Sequence, residues 1–314
     1  MPTRDPTRSD TFRAFGLMLP TWLVLGALYL LPMVILAAVS LHPPDDSGNA
    51  APVANWGQHI TSGQVAANYD KSVHEPYGRI QIRSFVLALV TTAACLLLGY
   101  PVAYYIALIA TPARKNLLLA LVVIPFWTCF LVRIAAWRLI LQDDGLLNSV
   151  LIKMHLQGIL NSVLINLHLI TWPGQLLDTP LAVLIGLVYG ELPYMILPLY
   201  ASLEKLDRSL LEAAADLGAK PTARFLRVTL PLTLPGIVAG SVLVFIPGLG
   251  QFIVSDILGG SHSMMIGNIV QDQFTGGRNK PLGAAIALEL TIAVLTMLIA
   301  WAWYARRRGW EIGL

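Results

Sequence analysis

Six stretches of this sequence, roughly 15–41, 84–110, 117–141, 180–203, 236–258 and 281–304, are predominantly apolar and about 20 residues or longer. A water-soluble fold cannot expose that many long apolar runs, whereas a bilayer demands them. Lipid offers no partners to backbone N–H and C=O groups, so a spanning segment must be a helix or part of a closed barrel. These runs lack the strict alternation of barrel strands, and they are too long for them. The expected fold is therefore all-α, with six transmembrane helices. Charged residues make up only 12% of the chain, against about 25% in soluble domains.

The first run follows Arg4, Arg8 and Arg13. These resemble the basic segment of a signal peptide, but the apolar run from Phe15 to Leu41 is too long for a cleavable signal. A signal anchor is expected. Lys and Arg then set the orientation. With the N-terminus inside, 13 basic residues fall on the cytoplasmic side, concentrated between 205 and 227 and at 306–308. Six fall outside, and Arg133 and Arg138 lie near a membrane edge. Both termini are expected in the cytoplasm. The net charge of +3 is this topology signal, not a sign of nucleic-acid binding.

The cytoplasmic segment between the fourth and fifth runs carries strong helix signals. Asp207 is placed to cap a short helix that runs to Leu217. Gly218 suits the left-handed stop, and Pro221 suits the first turn of a second short helix. Glu212, Ala213, Ala214, Leu217, Gly218 and Ala219, followed by Val228, Thr229, Leu230 and Pro231, resemble the EAA signature of ABC-importer permeases. That resemblance implies a coupling helix that seats in a separate ATPase subunit, and with it a type I ABC importer permease fold.

The resemblance extends along most of the chain. Ile124-Pro125-Phe126-Trp127, Leu131-Val132-Arg133, Ala136-Trp137 and Gly145-Leu146-Leu147-Asn148 are similar to polyamine-type permeases. So are Leu192 to Tyr200, Leu258-Gly259-Gly260, Met265 to Asn268 and Pro281 to Ala285. The match is to the first of two permease subunits in spermidine/putrescine importers. It implies a bacterial inner-membrane protein working with a second permease subunit, two copies of a cytoplasmic ATPase and a periplasmic substrate-binding protein. The substrate implied is a small polyamine-like cation. Relatives in the broader group carry thiamine, ferric iron, aminoethylphosphonate or opines. The insert at 42–79 is long for the group, and Arg138 adds positive charge beside a matched motif.

The layout expected is a cytoplasmic segment 1–14, a first span 15–41, a periplasmic insert 42–83, a five-helix core 84–305 containing the coupling loop 204–235, and a tail 306–314. Within the insert, His42 to Gly48 reads as a turn. His42, His59 and His74 lack the spacing of a metal site, and no metal is expected. Leu146 to Leu169 reads as an amphipathic helix at the outer interface, with a seventh span less favoured because it would invert the coupling loop. Cys95 and Cys129 fall inside spans, where a buried apolar role is expected. No Gly-x₄-Gly-Lys-Ser/Thr segment is present, so this chain is expected to bind no cofactor, with ATP and Mg²⁺ left to the ATPase.

Acidic residues in spans are costly and usually face a partner, a cavity or a path. Glu191, Asp256 and Glu289 are of this kind. Glu191 lies between Gly190 and Pro193, where the helix is loosened. It either lines the substrate path or pairs with Arg133 or Arg138. Tyr194, Trp127, Trp137 and Asp256 complete the candidate path, since aromatic faces attract ammonium groups, although packing and interfacial anchoring also use aromatics. Glu289 reads equally as an ion-pair member or a path residue. An ion-coupled secondary transporter using Glu191 or Glu289 as proton carrier is the alternative class, but it would have no use for the coupling loop.

Overall fold

The computed structural model of the chain describes residues 8–74, 76–153, 176–260, 263–276 and 279–307. Among the described residues, four helices are long and apolar enough to cross a membrane: Met18–Ser40, Tyr77–Ile109, Pro180–Glu204 and Lys280–Trp303. Two further pairs qualify only as bent units. Pro112–Trp127 joins Phe130–Val150 at 93°, and Pro221–Leu232 joins Leu234–Gly250 at 65°. Six crossings are reached if each bent pair is one span.

The elements in order are α1 (Arg8–Ser40), α2 (Trp56–Thr61), α3 (Ala67–Val73), α4 (Tyr77–Tyr104), α5 (Pro112–Val123), α6 (Phe130–Leu141) and α7 (Leu146–Lys153). There follow α8 (Pro180–Glu204), α9 (Arg208–Asp216), α10 (Pro221–Arg224), α11 (Leu230–Leu232), α12 (Leu234–Gly250), α13 (Ile253–Leu258), α14 (Ile266–Thr275) and α15 (Lys280–Arg307). The rest of the 146–169 segment beyond Lys153, including the question of a seventh span, lies outside the described residues.

Two expected spans differ from the structure. The run at 117–141 is not one helix: a 3₁₀ turn at Ile124–Trp127 and an extended Thr128 separate α5 from α6. Pro125 has no N–H to continue the α-helical ladder. Thr128 turns back instead, its hydroxyl donating to the Pro125 carbonyl at 2.8 Å. Cys129 sits in this break and is exposed, so only Cys95 has the buried role expected of both. The run at 236–258 also divides, because α12 stops at Gly250 and Gln251 is extended. Helix α4 begins at Tyr77, before the end of the 42–83 insert.

Groups freed at the second break find partners. Asn268 serves two of them: its Nδ2 donates to the Phe252 carbonyl at 3.1 Å, and its Oδ1 accepts from the Met265 N–H at 3.0 Å. The Ile266 N–H donates to Ser84 Oγ at 2.8 Å. The Ser255 hydroxyl donates to the Ser263 carbonyl. Gly267 lies so close that a Cβ there would be 2.5 Å from the Gly250 carbonyl oxygen.

By contacts the chain forms two units, residues 76–269 with 297–314, and residues 1–75 with 270–296. In the first, α4, α8 and α12 pack on one another around two apolar clusters. Ile134, Leu141, Val183, Leu187, Val254 and Leu258 belong to one. Cys95, Ala103, Met195, Leu199, Leu203 and Val244 belong to the other. Small residues allow the close approach, as is usual between membrane helices. A Cβ on Gly236 would strike the Ser202 Cβ and lie 2.8 Å from the Pro198 carbonyl oxygen.

In the second unit polar bonds fasten the insert. Asn68 Nδ2 donates to the carbonyls of Ser40 (2.8 Å) and His42 (2.9 Å), where α1 ends. The Ser40 and Tyr69 hydroxyls are 2.7 Å apart. The Lys280 N–H donates to the Gly48 carbonyl at 2.8 Å, and its Nζ to Asn49 Oδ1 at 2.5 Å. The Ser72 hydroxyl donates to Glu289 Oε1 at 2.5 Å. Glu289 thus anchors the insert to α15.

Replacing Gly236 by Val should overpack the α8–α12 contact by about 1–3 kcal/mol. Thermal unfolding of the detergent-purified chain is expected to begin several degrees lower. An unchanged midpoint would remove the close approach from the account of this core.

Candidate functional site

The first site is the loop between α8 and α12. Its local signals all operate. Asp207 Oδ1 accepts from the Ser209 N–H at 2.9 Å and caps α9. The Ser209 N–H, and then its hydroxyl, hold the Asp207 carboxyl below its ordinary value. At the far end the Ala219 N–H donates to the Ala214 carbonyl and the Gly218 N–H to that of Ala215. This is a Schellman stop, and Gly218 takes the left-handed φ of 79° that it requires. Pro221 opens α10.

The result is a turn closed at both ends by backbone and side-chain bonds, with an exposed, alanine-rich face. Glu212 and Ala213 are exposed, Ala214 and Ala219 half-buried, and Leu217 is 89% exposed. Leu230 is half-buried and Pro231 exposed, where the chain re-enters the bundle. The loop is tied to the core from behind. Arg208 Nη2 donates to the Ala107 carbonyl at 3.4 Å, within a π-helical turn at Tyr105–Ile109. Phe225 stands edge-on to Tyr100 (5.5 Å) and Tyr104 (6.3 Å). Tyr100 in turn hydrogen-bonds Thr233 at 2.9 Å.

The second site is a cleft of about 310 Å³ beside both span breaks. Phe126 and Phe130 flank the first break, and Gln251 forms the second. Arg133, Glu191 and Tyr194 complete its polar lining. Glu191 is only 4% exposed, and its Oε2 has no hydrogen-bond partner. Arg133 Nε and Nη1 are buried and equally unpartnered. The Arg133 guanidinium instead lies over two aromatic faces, 5.2 Å from the Phe126 centroid and 5.5 Å from that of Phe130. Tyr194 meets Phe126 edge-on at 4.9 Å.

Of the candidate path residues, Glu191 and Tyr194 come together here. Trp137 stacks edge-on against Tyr189 at 5.5 Å outside the cleft lining. Trp127 is 86% exposed and Asp256 is exposed on α13; neither lines the cleft. Phe130 and Gln251 were not singled out by sequence. Their signal is positional, since each adjoins a break in a span.

The fold and these sites define a membrane transport permease. Residues 84–308 match the family described as binding-protein-dependent transport system inner membrane component, and the chain belongs to that family. Among individual relatives, the spermidine/putrescine transport system permease protein PotB of Escherichia coli K12 is 42% identical over 240 residues, covering 76% of this chain and 82% of that protein. PotB of Haemophilus influenzae is 40% identical over 282 residues, covering 90% and 89%. A chain from the bacterial alginate ABC transporter, solved with an alginate pentasaccharide-bound periplasmic protein, aligns over 99% of this chain and all of that one, with TM-score 0.60 and 15% identity. This last likeness concerns the fold, and it bears out the expected type I ABC permease architecture.

The Asp207 cap yields a pH test. Its carboxyl is depressed, so the stabilisation it gives α9 is complete above the ordinary carboxylate range and is lost as pH falls through the depressed value. Protection factors at Ser209 and Leu210, taken against the intrinsic exchange rate at each pH, should fall on acidification in the native chain. Asp207→Ala should show fast exchange already at neutral pH, while Asp207→Asn, an equally good cap, should stay protected at both. Equal exchange in all three would remove the cap from the account.

Proposed function

We propose that this permease imports a small polyamine-like cation, powered by a separate cytoplasmic ATPase that docks on the loop 204–235. A second permease subunit, two ATPase copies and a periplasmic binding protein complete the assembly, with both termini of this chain in the cytoplasm. The chain itself binds no cofactor; ATP and Mg²⁺ belong to the ATPase.

The observation that carries the docking role is the double-ended rigidity of α9. It is capped by Asp207, stopped by Gly218 and tied through Arg208 to the π-helical turn that follows α4, yet its C-cap Leu217 is almost fully exposed. Outside the apolar runs, an exposed leucine beside the alanines of this turn offers a smooth apolar contact to a docking subunit. The basic residues at 205–227 support the cytoplasmic placement. For the substrate, the support is the likeness to spermidine/putrescine permeases and the nearly buried Glu191 carboxylate between aromatic side chains. In such surroundings a carboxylate attracts ammonium more strongly than it does in water.

Movement in this account is a two-state rocking of permease halves. Nucleotide binding favours one state and loaded binding protein favours its occupation. The ATPase pulls on α9, and Arg208 and Phe225 transmit the displacement to α4.

Reconstitution in liposomes tests the reading. Loaded binding protein should stimulate ATP hydrolysis by the complete complex, and labelled spermidine or putrescine should accumulate. Gly218→Val forces a β-branched residue into the left-handed region at a cost of about 1–2 kcal/mol, and it should abolish stimulation while leaving the membrane core folded. Glu212→Ala should weaken stimulation severalfold. The isolated chain should hydrolyse no ATP. Wild-type stimulation in both variants would sink the docking assignment.

A further inference from the structure

We propose that Arg133 is an internal competitor of the transported cation, its guanidinium occupying the aromatic-walled place beside Glu191 that an ammonium group of the solute takes over. The inference rests on the polyamine reading above and names a specificity device within it.

Three observations support it. The first is that Glu191 and Arg133 line one cleft without bonding each other. Opposite charges that share a buried site normally close to hydrogen-bond distance, because an unpaired buried charge is expensive. Here Glu191 Oε2 and Arg133 Nε and Nη1 are all unpartnered. The second is where the guanidinium rests. It lies over Phe126 and Phe130 at 5.2 and 5.5 Å, within the range at which a ring face attracts a cation. The third is that the rings are braced for that use. Phe126 is held edge-on by Tyr194, and a Cβ on Gly190 would already be 3.3 Å from the Phe130 ring.

An ammonium group placed against those faces would reach the same carboxylate field as the guanidinium. Two cations cannot share the space without repulsion, so occupancy by one excludes the other. Arginine suits the role, since its planar guanidinium stacks on aromatic faces and is more weakly hydrated than an ammonium. It can therefore rest on rings in a membrane interior and still yield to a solute whose second charge finds a partner elsewhere. A monoamine brings no second charge, so Arg133 raises the threshold against it. The device discriminates by number of charges rather than by length.

The test uses the assembled permease–ATPase complex in nanodiscs, without binding protein, so that affinity reports the membrane site alone. Radiolabelled spermidine and butylamine are the probes. Arg133→Gln should bind spermidine about fivefold to tenfold more tightly than wild type and should bind butylamine measurably, with the melting temperature of the complex unchanged. Arg133→Lys, which keeps a cation, should stay near wild type. Adding Glu191→Gln to Arg133→Gln should abolish the gain. Unchanged or weaker spermidine binding in Arg133→Gln overturns the proposal, as does a lowered melting temperature accompanied by lost binding, which marks Arg133 as a packing residue. If wild type prefers 5-aminovalerate to spermidine and Arg133→Gln loses that preference, Arg133 is a carboxylate receptor and the proposal is likewise overturned. Liposome uptake with loaded binding protein separates the two levels. Absence of polyamine uptake by wild type overturns the polyamine reading and this proposal with it, whereas normal uptake with no change in membrane-site affinity overturns this proposal alone.

Discussion

A backbone that leaves its helix inside hydrocarbon must find its hydrogen-bond partners within the protein. That constraint organises the core of this chain. Two of its apolar runs break, one at Ile124–Trp127 and one at Gly250–Gln251. The freed groups are met by Thr128 at the first break and by Asn268 at the second, while Ser84 and Ser255 knit the chain that follows. Polar side chains that would be liabilities on a lipid face become conditions of the fold. Gly267 belongs to the same arrangement, because only a residue without a Cβ lets the chain pass so close to Gly250.

The breaks also explain where function gathers. An unbroken helix presents only side chains to its neighbours. A broken one opens space and turns its flanking residues inward. The cleft of Arg133 and Glu191 lies beside both breaks, walled by Phe126, Phe130 and Gln251. The docking loop follows a different logic. It lies outside the apolar runs, where local rules suffice, and so it is built from a cap, a left-handed glycine and a helix-starting proline. One site depends on tertiary satisfaction of the backbone, and the other on short-range geometry.

That difference decides what the sequence made legible. Asp207, Gly218 and Pro221 act on their immediate neighbours, so their roles were readable without any knowledge of packing. The apolar runs were readable for the same reason. The 93° break was not, because Pro125 sits in a run as apolar as the others and proline is tolerated in many unbroken spans. Whether it kinks or breaks a helix depends on what surrounds it. Cys129 was misplaced with it. Glu191 stood out as a charge in an apolar run, but the aromatic seat of Arg133 could not be read from spacing alone. Glu289 was ambiguous because its partner Ser72 is 217 residues away in sequence. Asn68, which serves two carbonyls at the end of α1, carries no local signal at all.

The fastening of the insert has a consequence for how the protein is made. Within its unit, α1 presents mostly exposed apolar side chains, and the segment after it is secured by Lys280 and Glu289. The bond from Lys280 to Asn49 joins residues 231 apart. At ordinary synthesis rates of about 5–20 residues per second, the ribosome needs roughly 10–50 s to supply that second anchor. The segment after α1 gains its bonds to α15 only once residues 280–289 have been made. During that interval the bonds of Asn68 and Tyr69 to the end of α1 are already available to it. A chain truncated before residue 280 would lack the Lys280 and Glu289 bonds and keep those that Asn68 and Tyr69 make at the end of α1.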